Sequence, residues 1–123
     1  MKTEAGQEIA ATLAVNQAMA YVKCGRNEDA IKSAKRVIDN PDQAAEGTVV
    51  KAHYWRGTAF FNVGEFSSCA KECVAAVKRD KGNKAVRKLY KKATKAAKSA
   101  KAKTKKLFGG MFDKVKHSIL YVQ

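Results

Sequence analysis

The chain repeats itself, and this internal repeat constrains the fold more than any other feature. An offset of 39 residues aligns small residues with small residues and an aromatic residue with an aromatic residue. The matched pairs are Ala18 with Gly57, Tyr21 with Phe60, Gly25 with Gly64, Ala30 with Cys69, Ala34 with Cys73, and Val37 with Ala76.

Each copy predicts two amphipathic helices joined by a tight turn at the glycine, because small residues let antiparallel helices approach closely. Such units cannot bury their faces alone. We therefore expect an all-α chain in which two helical hairpins stack and leave a concave groove lined by the first helix of each.

Charge divides the chain into two parts. Residues 1–80 carry 11 basic and 10 acidic residues, whereas residues 81–123 carry 14 basic residues and 1 acidic residue. From Asn83, a good helix cap, the chain runs to Lys106 without Gly or Pro and is rich in Ala and Lys, so we predict a long helix. A thin apolar stripe, formed by Leu89, Ala93, Ala96 and Ala100, can rest on the preceding hairpin. We expect two regions, a repeat pair in 1–82 and a basic helix in 83–123, with the distal helix projecting because like charges repel.

The second copy resembles a known repeat family. Residues 51–66 read Lys-Ala-His-Tyr-Trp-Arg-Gly-Thr-Ala-Phe-Phe-Asn-Val-Gly-Glu-Phe, which resembles the tetratricopeptide repeat (TPR). That repeat is about 34 residues long, so about five residues are extra here. They fall in residues 40–47, which we expect to form an extended connection between the units.

The end of the basic helix makes the resemblance more specific. A repeat array followed by a basic helix and Leu-Phe-Gly-Gly-Met-Phe in residues 107–112 resembles the carboxyl-terminal TPR region of FKBP-type immunophilins and TPR-bearing cyclophilins. Phe108, Met111 and Phe112 occupy the family's aromatic and Met-Phe positions. There is no room for a prolyl isomerase domain before residue 10. The resemblance therefore implies either a fragment or a short relative without the catalytic part.

The resemblance also implies a peptide-binding site. In that family the groove holds the terminal carboxylates of heat-shock protein 90 or 70 class chaperones in a clamp of Asn, Lys and Arg side chains. Asn16 and Lys51 occupy the positions of a clamp Asn and the clamp Lys. Trp55 stands where the clamp Arg normally stands, and Arg56 comes one residue later, turned by about 100° on the helix. A co-chaperone-like adaptor with a partial clamp is one hypothesis. Alternatively, Asn16 forms an interhelical hydrogen bond and Lys51 is merely solvated.

A second hypothesis assigns function to the basic helix. It would bind calmodulin, nucleic acid or an anionic membrane surface electrostatically, although no base-reading motif predicts specific nucleic acid recognition. The apolar residues Leu107, Phe108, Met111 and Phe112 would either fold back on the second repeat or anchor a partner such as calmodulin. The remaining alternative is that the helix only solubilises and caps the repeats.

The remaining observations limit the function class. Three cysteines, an odd number, argue against a secreted disulfide framework and favour a reducing, cytoplasmic compartment. We assign Cys69 and Cys73 to helix packing rather than to a metal site, and no motif predicts an enzyme or a cofactor. No apolar run approaches the roughly 20 residues of a membrane-spanning helix. Because two repeats are fewer than the three usually needed for stability, self-association is plausible.

Overall fold

Residues 4–121 fold into five α-helices. The structure is a computed structural model that describes the backbone of residues 4–121 and the side chains of residues 4–107, and within that range it contains no strand. The helices are α1 (Glu4–Lys23), α2 (Asn27–Ile38), α3 (Glu46–Asn62), α4 (Phe66–Arg79) and α5 (Lys84–Tyr121). The prediction of an all-α chain is confirmed.

The repeat is visible in the two tight turns. Gly25 ends the α1 turn with a φ of +79°, and Gly64 ends the α3 turn with a φ of +84°. After each glycine, a backbone N–H reaches back to the last turn of the helix: Arg26 N donates to Tyr21 O at 2.8 Å, and Glu65 N donates to Phe60 O at 2.9 Å. A positive φ strains residues with a Cβ, so both turns depend on glycine. The same offset thus produces the same helix ending twice.

The repeat is also visible in burial. Ala30, Ala34 and Val37 on α2 are buried, and so are their counterparts Cys69, Cys73 and Ala76 on α4. One hydrophobic core lies among α1, α2 and α3, and a second among α3, α4 and α5. Since α3 contributes to both cores, it holds the two helix pairs together.

Gly57 lets α3 lie close to two neighbouring helices. A Cβ at this position would stand 3.4 Å from Cβ of Glu72 on α4 and 3.4 Å from Cδ2 of Leu89 on α5. A larger side chain would therefore push both helices away. The repeat pattern predicted a small residue here.

The connection between the helix pairs differs from the prediction. We expected residues 40–47 to be extended, but Pro41–Gln43 form a single 3-10 turn and α3 already begins at Glu46. Only the two residues between that turn and α3 are extended, Ala44 with φ −138° and ψ 153° and Ala45 with φ −62° and ψ 150°. Proline explains the turn, because its fixed φ suits the first position of a helical segment. Carboxylate Oε2 of Glu8 on α1 then accepts a hydrogen bond from Ala45 N at 2.6 Å.

Helix α5 begins where the sequence predicted. Oδ1 of Asn83 accepts a hydrogen bond from Val86 N at 3.0 Å, which is an N-cap. The stripe predicted to rest on the repeats is buried at Leu89 and Ala93, half-buried at Ala96 and exposed at Ala100. Every side chain in residues 101–107 is exposed. The helix thus leaves the body of the protein near Ala100, as expected for its distal part.

Candidate peptide-binding surface

The exposed side of α3 carries Lys51. Val49, Ala52, His53 and Gly57 turn toward the protein interior, which leaves Lys51 exposed on the opposite side of the helix. Within the described part of the chain, the Lys51 ammonium has no ion-pair partner. It is therefore free to bind an anion.

Asn16 lies on the neighbouring helix. Ala11, Val15 and Ala18 bury one side of α1, and Asn16 is exposed on another. In the described residues its side chain makes no hydrogen bond, so the alternative of an interhelical hydrogen bond is not what the structure shows.

Glu8 fixes α1 against the start of α3. Besides holding Ala45 N, it accepts a hydrogen bond at Oε1 from the Thr48 hydroxyl at 3.1 Å. Two elements far apart in sequence are thereby joined at one carboxylate. Asn16 and Lys51 consequently lie on helices that are packed together rather than on loops.

Trp55 lies at the boundary between the first hydrophobic core and the solvent. It is half-buried, packs against the core shared by α1, α2 and α3, and meets Tyr54 edge-to-face with ring centroids 5.1 Å apart. A Trp at this position cannot supply the charged fork of an Arg. It can provide apolar contact area and an indole N–H donor.

Arg56 points away from this surface. Its guanidinium pairs with Glu72 on α4 and lies over the Phe60 ring, with Cζ 5.1 Å from the ring centroid. The rotation of about 100° per residue explains the difference from Trp55. The structure therefore brings Asn16, Lys51 and Trp55 to adjoining helices α1 and α3, whereas Arg56 belongs to the α3–α4 interface.

Sequence reasoning missed a buried polar network around Glu72. Nδ1 of His53 lies 2.6 Å from Oε2 of Glu72, and Arg56 pairs with Oε1 of the same carboxylate. His53 is 7% exposed and Glu72 is 8% exposed. The sequence carried a usable signal, because Glu72 lies on the buried side of α4 among Cys69, Cys73 and Ala76. A carboxylate there requires a buried partner.

Two of the three thiols are buried in the second core. The hydrogen bond from Cys73 lowers the pKa of Cys69, whereas that hydrogen bond and burial raise the pKa of Cys73 above its usual range. Cys24 is exposed. The assignment of Cys69 and Cys73 to helix packing is confirmed by their complete burial.

The predicted tail anchors are only partly described. Leu107 is 73% exposed and does not fold back on the second repeat. The side chains of Phe108, Met111 and Phe112 lie outside the described residues.

The comparisons with known proteins found no match for this chain. No protein family model matches the chain, no curated protein matches it, and no solved structure matches it. Among the helices of the described part, none is both long and apolar enough to cross a bilayer.

Proposed function

We propose that this chain is a non-catalytic adaptor of the TPR type that binds the carboxyl-terminal peptide of a chaperone of the heat-shock protein 90 or 70 class. The observation that carries the proposal is that two exposed and unengaged polar side chains, Asn16 and Lys51, lie on the adjoining helices α1 and α3, and that Trp55 on α3 is half-buried. The free thiols suit a reducing cytoplasm.

The chemistry suits a carboxylate. An ammonium group and a side-chain amide can both donate to a peptide's terminal oxygens, and the hydrogen bond from the ammonium is charge-assisted. Trp55 would contact an apolar side chain of the peptide instead of a second carboxylate. Since Arg56 is engaged with Glu72, the site offers one cation rather than two. Binding should accordingly be weak, with affinity in the micromolar range or above.

Calorimetry with a peptide ending in Glu-Glu-Val-Asp tests the proposal. Lys51→Ala should weaken binding about tenfold, equivalent to about 1.4 kcal/mol. Trp55→Arg should tighten it by restoring a second cation. Lys32→Ala is the matched control, because Lys32 is also an exposed helical lysine but lies on α2.

Three results would contradict the site. Submicromolar binding that is insensitive to Lys51→Ala would place the peptide elsewhere. Equal loss in Lys51→Ala and Lys32→Ala would indicate a general effect of charge. Unchanged binding of a peptide with an amidated carboxyl terminus would exclude recognition of the terminal carboxylate.

The lysine-rich helix supports a second candidate function. Residues 84–107 contain 11 basic and no acidic residues, and α5 is exposed on all sides over 101–107. This helix would bind calmodulin, or bind nucleic acid or an anionic membrane without sequence specificity. Salt separates the two functions. The affinity of lysine-driven binding falls steeply as salt rises from about 50 to about 200 mM, whereas the affinity of groove binding falls less.

A further inference from the structure

A groove opens where α5 passes the turn between α3 and α4. Phe61, near the end of α3, and Phe66, at the start of α4, form its apolar floor, with ring centroids 5.2 Å apart and planes inclined by 59°. The groove has a volume of about 450 Å³. Its α5 wall consists of Lys92, Lys95, Ala96, Ser99, Ala100 and Lys103.

Small residues on α5 keep this groove open. Leu89 and Ala93 are buried, but the following residues of the stripe, Ala96 and Ala100, are too short to fill the space beside the phenylalanines. The helix leaves the protein body in the same place. The result is a wedge between α5 and the α3–α4 turn, with an apolar base and an exposed outer wall.

Every titratable side chain that lines the groove is a lysine. Lys92 Nζ stands 4.7 Å from the centroid of the Phe61 ring, while Lys95 and Lys103 are exposed on the rim. In the described part of the chain, no acidic side chain forms an ion pair with a lysine of α5. The nearest hollow, which shares Phe66 and Ala100 with the groove, is lined by one carboxylate, that of Glu65. Within the groove lining itself the lysine charge is uncompensated.

We infer that this groove binds an acidic peptide segment, which places one bulky apolar side chain on Phe61 and Phe66 and its carboxylates on Lys92, Lys95 and Lys103. Charge complementarity selects an anionic partner, and the apolar floor selects a partner with an apolar side chain. Phe61 lies about ten residues beyond Lys51 on α3, or about 15 Å along the helix. The groove is thus separate from the surface that carries Asn16 and Lys51.

The aromatic geometry favours a peptide over a nucleic acid. Bases stack on exposed aromatic faces, but Phe61 packs against the second core and Lys92 lies over its ring. The groove also lacks an arginine that could stack on a base or pair with it. An aliphatic or aromatic side chain needs only the part of the two half-buried rings that is accessible.

Fluorescence anisotropy with the full chain tests the inference. The probe is a labelled 12-residue peptide of glutamates with one central leucine, and a second probe has alanine in place of that leucine. The groove variant is Lys95→Glu with Lys103→Glu, both exposed, so folding should be unaffected. Its matched control, Lys101→Glu with Lys105→Glu, makes the same charge change on the same helix outside the groove lining.

The groove variant should weaken binding of the leucine peptide about tenfold or more relative to the control variant. The alanine peptide should bind at least about fivefold more weakly than the leucine peptide. Lys51→Ala should leave both affinities unchanged, which separates this groove from the proposed chaperone site.

Equal weakening by the two charge-reversed pairs, or equal binding of the two peptides, would overturn the inference. A single-stranded nucleic acid of the same net charge serves as the competing ligand. If it binds as tightly as the leucine peptide and is weakened as much by the groove variant, the groove is a general anionic surface and the peptide assignment is wrong. Circular dichroism of each variant confirms that the helices remain folded.

Discussion

Glu72 on α4 holds His53 on α3 through a contact of 2.6 Å between Oε2 and Nδ1, inside the second helix pair. The same carboxylate also pairs with Arg56. One acidic residue thereby compensates two basic side chains at the interface. Because Glu72 and His53 are almost fully buried, losing the carboxylate would leave polar groups without a partner and without water.

Glu72→Ala should therefore destabilise the protein by about 3 kcal/mol, as expected for breaking a buried charged pair. Chemical denaturation followed by circular dichroism at 222 nm measures the free energy of unfolding. The control is Glu28→Ala, an exposed glutamate at the start of α2, which should change that free energy by less than about 0.5 kcal/mol. Equal effects of the two substitutions would show that the network contributes nothing specific.

Gly57→Val should lower the free energy of unfolding by about 2 kcal/mol, because side-chain atoms beyond Cβ would overlap Glu72 and Leu89. Gly57→Ala should be tolerated, since a Cβ would make contacts of about van der Waals length and alanine favours a helix. Gly47→Val is the matched control on the same helix, where nothing lies within 4 Å of an added Cβ. A stable Gly57→Val protein would mean that the three helices can move apart at little cost.

Alanine at either turn glycine should cost about 1 kcal/mol, because Gly25 and Gly64 both have a left-handed backbone conformation. There is open space around each glycine, so the cost comes from the backbone and not from a clash. Thermal unfolding of Gly25→Ala and Gly64→Ala should show losses of similar size. Gly82→Ala, which also has open space but no positive φ, should unfold close to the wild-type temperature.

Thiol titration should separate the three cysteines. In the folded protein, Ellman's reagent should react rapidly with Cys24 alone, and all three thiols should react in denaturant. The raised pKa of Cys73 keeps it protonated as the pH rises toward 9, so alkaline buffer should not expose it to reaction while the fold persists. Cys24→Ser should remove the rapid phase. A rapid phase that survives this substitution would show that the second core opens readily.

Much of the fold could be predicted from the repeat. The offset of 39 residues located both turn glycines and the buried small residues on α2 and α4, and Asn83 marked the start of α5. These features depend on local backbone preference and periodicity, which a sequence displays directly. The 3-10 turn at Pro41–Gln43 was missed because the inserted segment has no counterpart in the second copy.

The site was harder to predict, because it depends on which way each side chain turns. The resemblance placed Arg56 one residue after the clamp Arg position and so in the candidate site with Lys51, yet its pairing with Glu72 directs it to α4. The sequence gives no role to His53, because its partner lies 19 positions away on another helix. Periodicity on α4 placed Glu72 among buried residues, but only the packing of α3 on α4 identifies what neutralises it.

The emergence of α5 from the protein near Ala100 has a thermodynamic consequence. Over residues 101–107 every side chain is exposed, so no buried contact offsets the repulsion among the four lysines there, and helix formation depends on the surrounding ions. Multivalent anions should raise the helical content of this segment, and dilute monovalent salt should lower it. A partner that neutralises these lysines would therefore lengthen the ordered part of α5 away from the repeats. Binding of that partner would increase the maximum dimension of the molecule.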